Sequence, residues 1–162
     1  MKYLNDINYK GCVGKILKSK NFGDFKIVKY NNSRNVDIQF VTTGFETSAQ
    51  LEHIKNGNVK DPYVPSVCGV GIVGTKYPPT VSGRNTKEYD LWNNMLKRCY
   101  SDGSKKQRPT YEGCKVSNNF LRYEYFYEWC HIQVGFNNKD WQLDKDLLVK
   151  GNKVYNESTC VF

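Results

Sequence analysis

No run of apolar residues in this 162-residue chain approaches the ~18 residues that a membrane-spanning helix needs. Residues 1–20 alternate polar and apolar side chains and carry lysines throughout, which is not the pattern of a secretion signal. The sequence also has no internal repeat and no low-complexity run. These absences predict a soluble, intracellular protein without a membrane partner.

No Cys-x-x-Cys pair is present, and the two histidines, His53 and His131, do not have zinc-finger spacing. The six cysteines are scattered along the chain: Cys12, Cys68, Cys99, Cys114, Cys130 and Cys160. One alternative is that Cys99, Cys114 and Cys130 converge with His131 on a zinc ion. Free buried thiols in a reducing cytosol are the favoured interpretation.

Positive charge and aromatic rings are what the sequence has in excess. The formal net charge is +8, and both halves of the chain are basic, which favours a polyanionic partner. Aromatic residues make up 14% of the chain, and their ring faces can stack on nucleic-acid bases. The alternative is that a modest positive charge only keeps a small protein soluble.

Residues 1–74 have the pattern of a small β domain. Residues 25–30 and 36–40 alternate apolar and polar side chains on both sides of an Asn-rich loop, which predicts a β-hairpin. Residues 13–17 and 69–73 are typical of further short strands. Four or five strands in so short a stretch predict a small twisted barrel of the SH3-like kind.

The pattern becomes helical further along the chain. Residues 75–88 contain two prolines, a glycine and several small polar residues, which predicts a linker. A second domain is then predicted over residues 89–162. Apolar residues at intervals of three and four predict helices at 89–99 and at 118–131, the second capped by Ser117. The predicted fold class is therefore α+β.

A basic loop, residues 101–115, joins the two predicted helices. Cations in and just before this loop are spaced so that they can reach the phosphates of one strand. The alternative is a solvated loop whose lysines contact nothing. The candidate nucleic-acid-binding residues are Lys97, Arg98, Lys105, Lys106, Arg108 and Lys115.

Residues 141–162 predict a short hairpin followed by the start of a helix. A Gly-Asn turn at Gly151 and Asn152 joins the two arms, and Asn156 or Ser158 has the character of a helix cap. An ordinary charged hairpin is the simplest interpretation. In that case four apolar side chains of the hairpin pack inward: Trp141, Leu143, Leu147 and Val149.

The same segment is also a candidate metal site. Asp144 and Asp146 would share one face of a strand by its two-residue period, so both could bind Mg²⁺ or Mn²⁺. Asn156 or Glu157 would complete such a site from the helix start. Lys145 would point to the opposite face.

Several motifs in residues 89–162 resemble a group of bacteriophage proteins related to HNH homing endonucleases. The order of the motifs carries the resemblance, and the β region before them is similar to a module found beside such domains. The matching stretches are Leu91-Trp92, Met95-Leu96, Arg98-Cys99-Tyr100, Pro109–Val116, Phe120 to Trp129, Trp141–Asp146, Gly151–Tyr155 and Thr159-Cys160.

The resemblance implies roles for residues of the terminal segment. Asp144 matches the aspartate of the family's Asp-His pair, and Lys145 stands where the base histidine is expected. Asn156 lies near the central asparagine that holds the hairpin together. Thr159 takes the place of the metal-binding asparagine, and the helix that carries it is only a few residues long. Asp144, Lys145 and Asn156 are therefore the catalytic candidates if the protein is active.

The departures from the motif predict that the protein has kept nucleic-acid binding and lost cleavage, or that the chain is part of a longer enzyme. The leading hypothesis is a phage-encoded DNA-binding protein in the cytoplasm of an infected bacterial host. One alternative is an active, metal-dependent nicking or homing endonuclease that uses Mg²⁺ or Mn²⁺. Another is a phage inhibitor that covers an acidic surface or the guide-RNA groove of a host defence protein.

Overall fold

The computed structural model describes residues 11–162, and the chain divides into two compact units between Val64 and Pro65. The boundary therefore falls before the predicted one at residue 74. Both α-helices and β-strands are present, which confirms the α+β class. Residues 1–10, which the sequence assigns to the barrel, lie outside the described residues. Within residues 11–162, no helix has both the length and the apolar character required to cross a bilayer.

The N-terminal unit is built from four strands and a short helix: β1 (Ile16–Lys18), β2 (Asp24–Asn32), β3 (Asn35–Phe40), β4 (Glu46–Ala49) and α1 (Leu51–Lys55). The strands are antiparallel and lie side by side in chain order. The predicted strands at 25–30 and 36–40 are confirmed as a hairpin, and the one at 13–17 is present in part as β1. Strand β4 and helix α1 were not predicted.

Period-two alternation explains the core of this sheet. Phe25 and Ile27 of β2 and Val36, Ile38 and Phe40 of β3 are all at most 1% exposed. The register places Phe25 opposite Phe40 and Ile27 opposite Ile38, so the apolar side chains of the two strands meet on one face. Each such side chain contributes roughly 1.5–3 kcal/mol when fully buried. This buried face therefore stabilises the unit far more than the hairpin turn does.

Residues 69–73 do not form a strand of the N-terminal unit, contrary to prediction. Val67 and Gly71 pair across a tight turn, and Ile72 then pairs in parallel with Arg122 of the C-terminal unit. A Cβ at Gly71 would lie 2.5 Å from a leucine side chain. The absence of a side chain at Gly71 thus permits close packing within the second unit.

Residues 75–88 are packed structure rather than the predicted linker. Two successive backbone N–H groups of this segment donate to Glu124 Oε1, at 2.7 and 2.6 Å. The ring of Tyr77 stacks on that of Tyr127 with centroids 3.8 Å apart. The segment also contains a two-stranded hairpin, formed by β5 (Thr80–Val81) and β6 (Arg84–Asn85). Proline and glycine mark turns here, but the segment is fixed by contacts with a later helix.

The helices of the C-terminal unit are α2 (Lys87–Tyr100), α3 (Asp102–Gln107) and α4 (Tyr123–His131). Helix α2 includes all of the predicted helix at 89–99. It begins after Thr86, whose Oγ1 accepts a hydrogen bond from the Tyr89 N–H at 3.2 Å. Its apolar stripe, with Trp92 and Leu96 at 0% exposure, faces the core.

Helix α4 begins five residues later than the prediction of 118–131. Ser117 caps only a turn, because its Oγ accepts from the backbone N–H three residues later at 3.3 Å. The chain then becomes extended, since the Ile72 N–H donates to the Leu121 carbonyl and the Ile72 carbonyl accepts from the Tyr123 N–H, both at 2.9 Å. These long-range hydrogen bonds occupy the Leu121 carbonyl and the Tyr123 N–H, which a helix that began at residue 118 would use for its own hydrogen bonds.

The core of the C-terminal unit is largely aromatic. Trp92 Nε1 donates to the carbonyl of Phe120 at 2.7 Å, so the buried indole N–H is satisfied. The ring of Phe120 meets Phe126 edge to face at 5.2 Å and Trp129 at 4.8 Å. This cluster ties α2 to α4, and none of residues 101–113 between them is buried.

Candidate nucleic-acid interface

Residues 144–161, named the terminal loop below, do not form the predicted hairpin. The backbones of Asp144 and Val161 exchange two hydrogen bonds at 2.9 and 3.0 Å and close the loop at its base. The second arm forms strand β8 (Val154–Tyr155), which pairs in parallel with strand β7 (Lys115–Val116). The partner of each arm is thus a residue distant along the chain, which a hairpin pattern does not reveal.

Asn152 holds the interior of the terminal loop together. Its side-chain amide donates to the backbone carbonyls of Lys145 at 2.6 Å and Val154 at 2.7 Å. It also donates to Thr159 Oγ1 at 2.9 Å, while its Oδ1 accepts from the Val154 N–H at 3.0 Å. Asn152 is therefore more than the predicted turn residue. The central asparagine was expected near Asn156, whereas the residue that bridges both arms is Asn152.

Lys145 lies inside the terminal loop and is 6% exposed. Its Nζ donates to the carbonyl of Asn152 at 2.8 Å and lies 3.2 Å from Asp146 Oδ2. The ammonium is also 5.9 Å from the ring centroid of Tyr155. Lys145 Nζ is thus surrounded by two oxygen acceptors and the face of an aromatic ring, and these groups suit a cation that donates hydrogen bonds. At the position of the expected base, Lys145 therefore acts as an internal clamp.

Asp144 and Asp146 do not share the face of a strand. Asp144 Oδ1 accepts from the backbone N–H groups of Asp146 at 2.8 Å and Leu147 at 2.9 Å, which turns the chain sharply. The two carboxyl groups remain neighbours. Hydrogen bonding to Asp144, and next to Lys145, holds the pKa of Asp146 below its ordinary value. Both acids are therefore engaged within the loop.

Asn156 is the cap of the last turn, as predicted. Its Oδ1 accepts from the backbone N–H groups of Ser158 at 2.9 Å and Thr159 at 3.0 Å. The turn does not continue into a helix. Thr159, at the predicted metal-ligand position, directs its Oγ1 to Asn152, Asn156 and the carbonyl of Val154. This hydroxyl belongs to the hydrogen-bond network of the loop.

No group of three or more His, Cys, Asp or Glu side chains within residues 11–162 is arranged to hold a metal ion. The proposed zinc set of Cys99, Cys114, Cys130 and His131 therefore does not assemble. All six cysteines are free, and only Cys68 is not fully buried. Burial raises the pKa of the thiols of Cys99 and Cys160 to about 12, which makes them inert. The prediction of free, buried thiols is therefore confirmed for every cysteine except Cys68.

The predicted basic loop is mostly helical. We call residues 102–111 the basic segment; it contains α3 and a 3-10 turn at Pro109–Tyr111. Helix α3 ends before Arg108, because the residue that precedes a proline is disfavoured in the helical conformation. Lys106 and Arg108 are exposed and Lys105 is half-buried.

Arg98 connects the basic segment to the terminal loop. Its guanidinium lies 5.4 Å from the ring centroid of Tyr111 and donates a hydrogen bond to the hydroxyl of Tyr155. Burial raises the pKa of Tyr155, and the nearby guanidinium opposes this shift. Burial also opposes the charge of Arg98, but the bond to Tyr155 raises its pKa overall. Arg98 is a half-buried, positioned cation rather than a freely solvated one.

The remaining cations differ in how close they lie to the contact between the basic segment and the terminal loop. Lys115, in β7, is exposed beside β8, and Lys153 donates from Nζ to the carbonyl of Thr110 at 2.7 Å. Lys97 projects from α2 one residue before Arg98, about 100° around the helix, and its charge acts on the Cys68 thiol. Five predicted cations thus lie on or beside the basic segment, and Lys97 points elsewhere. Lys153, which follows Asn152 in sequence, was not among the predicted nucleic-acid-binding residues.

No protein-family model matches the chain, and comparison with curated proteins and with solved structures gave no significant match. The resemblance to HNH homing endonucleases therefore stays a prediction from sequence motifs. What the chain does must be inferred from the chemistry of its own surface, in which exposed cations adjoin a closed, hydrogen-bonded loop.

Proposed function

We propose that this protein binds nucleic acid through the basic segment and its neighbouring cations. In this proposal it is a phage-encoded derivative of an HNH homing endonuclease with little or no cleavage activity. The N-terminal unit would be an SH3-like small β-barrel module, and the C-terminal unit an HNH-like domain. DNA is the expected partner.

The observation that carries the proposal is that the cations are not neutralised by carboxylates. The ion pairs between described side chains are Lys76–Glu128, His131–Glu88 and Lys145–Asp146. None of the six candidate cations takes part in them. Exposed Lys106, Arg108 and Lys115 therefore remain available to phosphates, and each phosphate that they neutralise releases counterions.

The state of Lys145 supports binding without cleavage. A general base must accept a proton from water within hydrogen-bond reach. The Lys145 ammonium instead donates to the carbonyl of Asn152 and faces Asp146, inside the loop. Asp144 Oδ1 is likewise occupied by two backbone N–H groups. Lys145 is therefore not poised to activate water at an exposed phosphate.

Fluorescence anisotropy with a labelled duplex of mixed sequence tests the binding. If the five cations on or beside the basic segment each neutralise one phosphate, the affinity falls about five-hundredfold between about 50 and about 200 mM salt. A plot of log Kd against log salt concentration measures this dependence. Absence of binding at low salt, or binding that does not respond to salt, would contradict the proposal.

The main alternative, an active endonuclease, is tested with supercoiled plasmid and Mg²⁺ or Mn²⁺. We expect no conversion to nicked circles, because Lys145 replaces the imidazole and is bound internally. Asp144→Ala is the matched variant, since Asp144 is the acid that a metal-dependent mechanism requires. Nicking by the natural protein that is lost in Asp144→Ala would establish the endonuclease and refute the proposed loss of cleavage.

A further inference from the structure

Three consecutive apolar side chains are exposed at the far end of the terminal loop. Leu147, Leu148 and Val149, named the apolar tip, are 70%, 59% and 51% exposed. Inward packing of Leu147 and Val149, which was expected if the segment formed an ordinary charged hairpin, is therefore wrong. Of the four hairpin residues expected inside, only Leu143 is buried. A run of exposed apolar residues does not help this unit to fold, so it calls for another explanation.

Hydrogen bonds hold the backbone on both sides of the apolar tip. On one side Asp144 Oδ1 accepts from the Leu147 N–H at 2.9 Å. On the other side the Asn152 N–H donates to the carbonyl of Val149 at 3.0 Å. Lys145 and Asn152 then connect the two sides inside the loop. The apolar tip is therefore presented in a fixed geometry, which lowers the entropy cost of inserting it into a partner.

The charges around the apolar tip suit a polyanion. Lys150 follows it directly and is exposed, and Lys153 reaches the basic segment through its bond to the Thr110 carbonyl. Asp146 faces the Lys145 ammonium at 3.2 Å and Asp144 accepts backbone bonds; both carboxylates are exposed, but the three lysines of residues 144–153 outnumber them. Lys153, four residues after Val149, thus links the basic segment to the loop that carries the tip, so a nucleic acid bound along the basic segment would also meet this loop.

The size and chemistry of the tip distinguish among partners. Three aliphatic side chains offer far less than the roughly 800 Å² that each side contributes to a stable protein interface. Single-stranded nucleic acid is usually bound by aromatic rings that stack on bases. Leucine and similar aliphatic side chains are instead the residues that proteins insert between base steps of a duplex.

We infer that the apolar tip is a wedge that inserts Leu147 and Leu148 between base pairs of duplex DNA while the basic segment holds the phosphates. This inference rests on the proposed function and goes beyond it by assigning the partner as a duplex and the mode of contact as partial unstacking. Insertion of a side chain between base pairs untwists the duplex, whereas phosphate contacts alone do not require it.

Topoisomerase relaxation of closed circular plasmid in the presence of the 162-residue protein measures this untwisting independently of DNA sequence. After removal of the protein, plasmid relaxed with the natural protein should be underwound relative to plasmid relaxed alone. Leu147→Ser/Leu148→Ser should abolish that shift. The same variant should weaken duplex binding only about tenfold, because the free-energy cost of unstacking base pairs offsets much of the free energy gained by burying the leucine side chains.

The matched control is Ile132→Ser/Val134→Ser, which changes two apolar residues that are 77% and 97% exposed in the turn after α4. This control should keep both the linking-number shift and the affinity. All four positions are exposed, so the thermal midpoints of both variants should equal that of the natural protein.

Binding of DNA without a change in linking number would refute the wedge and leave the proposed function intact. Retention of the shift in Leu147→Ser/Leu148→Ser would also refute it. Loss of a dimer in sedimentation of the same variant, without DNA, would instead assign the tip to self-association and overturn the inference. Absence of any DNA binding would remove the proposed function itself.

Discussion

Lys105→Gln/Lys106→Gln/Arg108→Gln should weaken duplex DNA binding by about two orders of magnitude at about 0.1 M salt. The three side chains lie on one short stretch of the basic segment, and none is in an ion pair between described side chains. Each neutralised phosphate adds about 0.9 to the slope of log affinity against log salt concentration. The slope of the variant should therefore be smaller by about 3.

Lys15→Gln/Lys26→Gln/Lys60→Gln is the matched control, because it removes the same charge from three exposed positions of the N-terminal unit. Anisotropy titrations at several salt concentrations compare the two variants. If the protein has a local phosphate-binding surface on the basic segment, the control should bind nearly as well as the natural protein. Equal weakening by both variants would mean that only the overall charge of +8 matters.

The basic segment itself should tolerate these changes. Helix α3 has no buried residue, so the replaced side chains contribute little packing energy. Glutamine is also a good helix former, close to lysine and arginine. Circular dichroism should therefore give unchanged spectra and thermal midpoints, and a loss of affinity can be assigned to lost phosphate contacts.

Asn152→Ala should lower the free energy of unfolding of the C-terminal unit by about 3 kcal/mol. The change removes the amide that donates to Lys145, Val154 and Thr159, and it leaves two backbone carbonyls in a half-buried loop without this donor. A single exposed hydrogen bond is worth much less, about 1 kcal/mol. The large effect is expected because one side chain connects both arms.

Urea unfolding followed by tryptophan fluorescence measures this change. The three tryptophans, Trp92, Trp129 and Trp141, all lie in the C-terminal unit, so the signal reports that unit alone. Asn137→Ala, at an exposed position before the terminal loop, should change the stability by less than about 0.5 kcal/mol. A similarly small effect of Asn152→Ala would contradict the role of Asn152 as the residue that connects both arms of the loop.

The local part of the fold was predictable because its signals are short-range. Alternation in β2 and β3 and the three- and four-residue spacing in α2 depend only on neighbouring residues, and all three elements are present. The start of α4 was not predictable, since Ile72, which lies fifty residues away in sequence, captures the backbone on either side of Arg122. The assignment of 75–88 as a linker failed for the same reason, as its fixed position comes from Glu124 and Tyr127.

The candidate site was also predictable from the sequence only in part. The cations of the basic segment and the capping role of Asn156 followed from residue type and spacing, and the structure places Arg98 and Lys115 beside that segment. The pairing of Asp144 with Val161, and of β7 with β8, had no signature in the local pattern. Consequently the roles of Asn152 and Lys145 inside the loop were misjudged.

Sequence alone established the excess of positive charge, the α+β composition and the positions of the cations, because these depend on residue identity and short-range periodicity. Tertiary structure alone decided that Lys145 is buried, that Asn152 bridges the terminal loop and that Leu147 to Val149 face outward. Each of these depends on hydrogen bonds between groups separated along the chain. Whether a side chain in a polar loop faces inward or outward is determined by such closures and not by its own hydrophobicity.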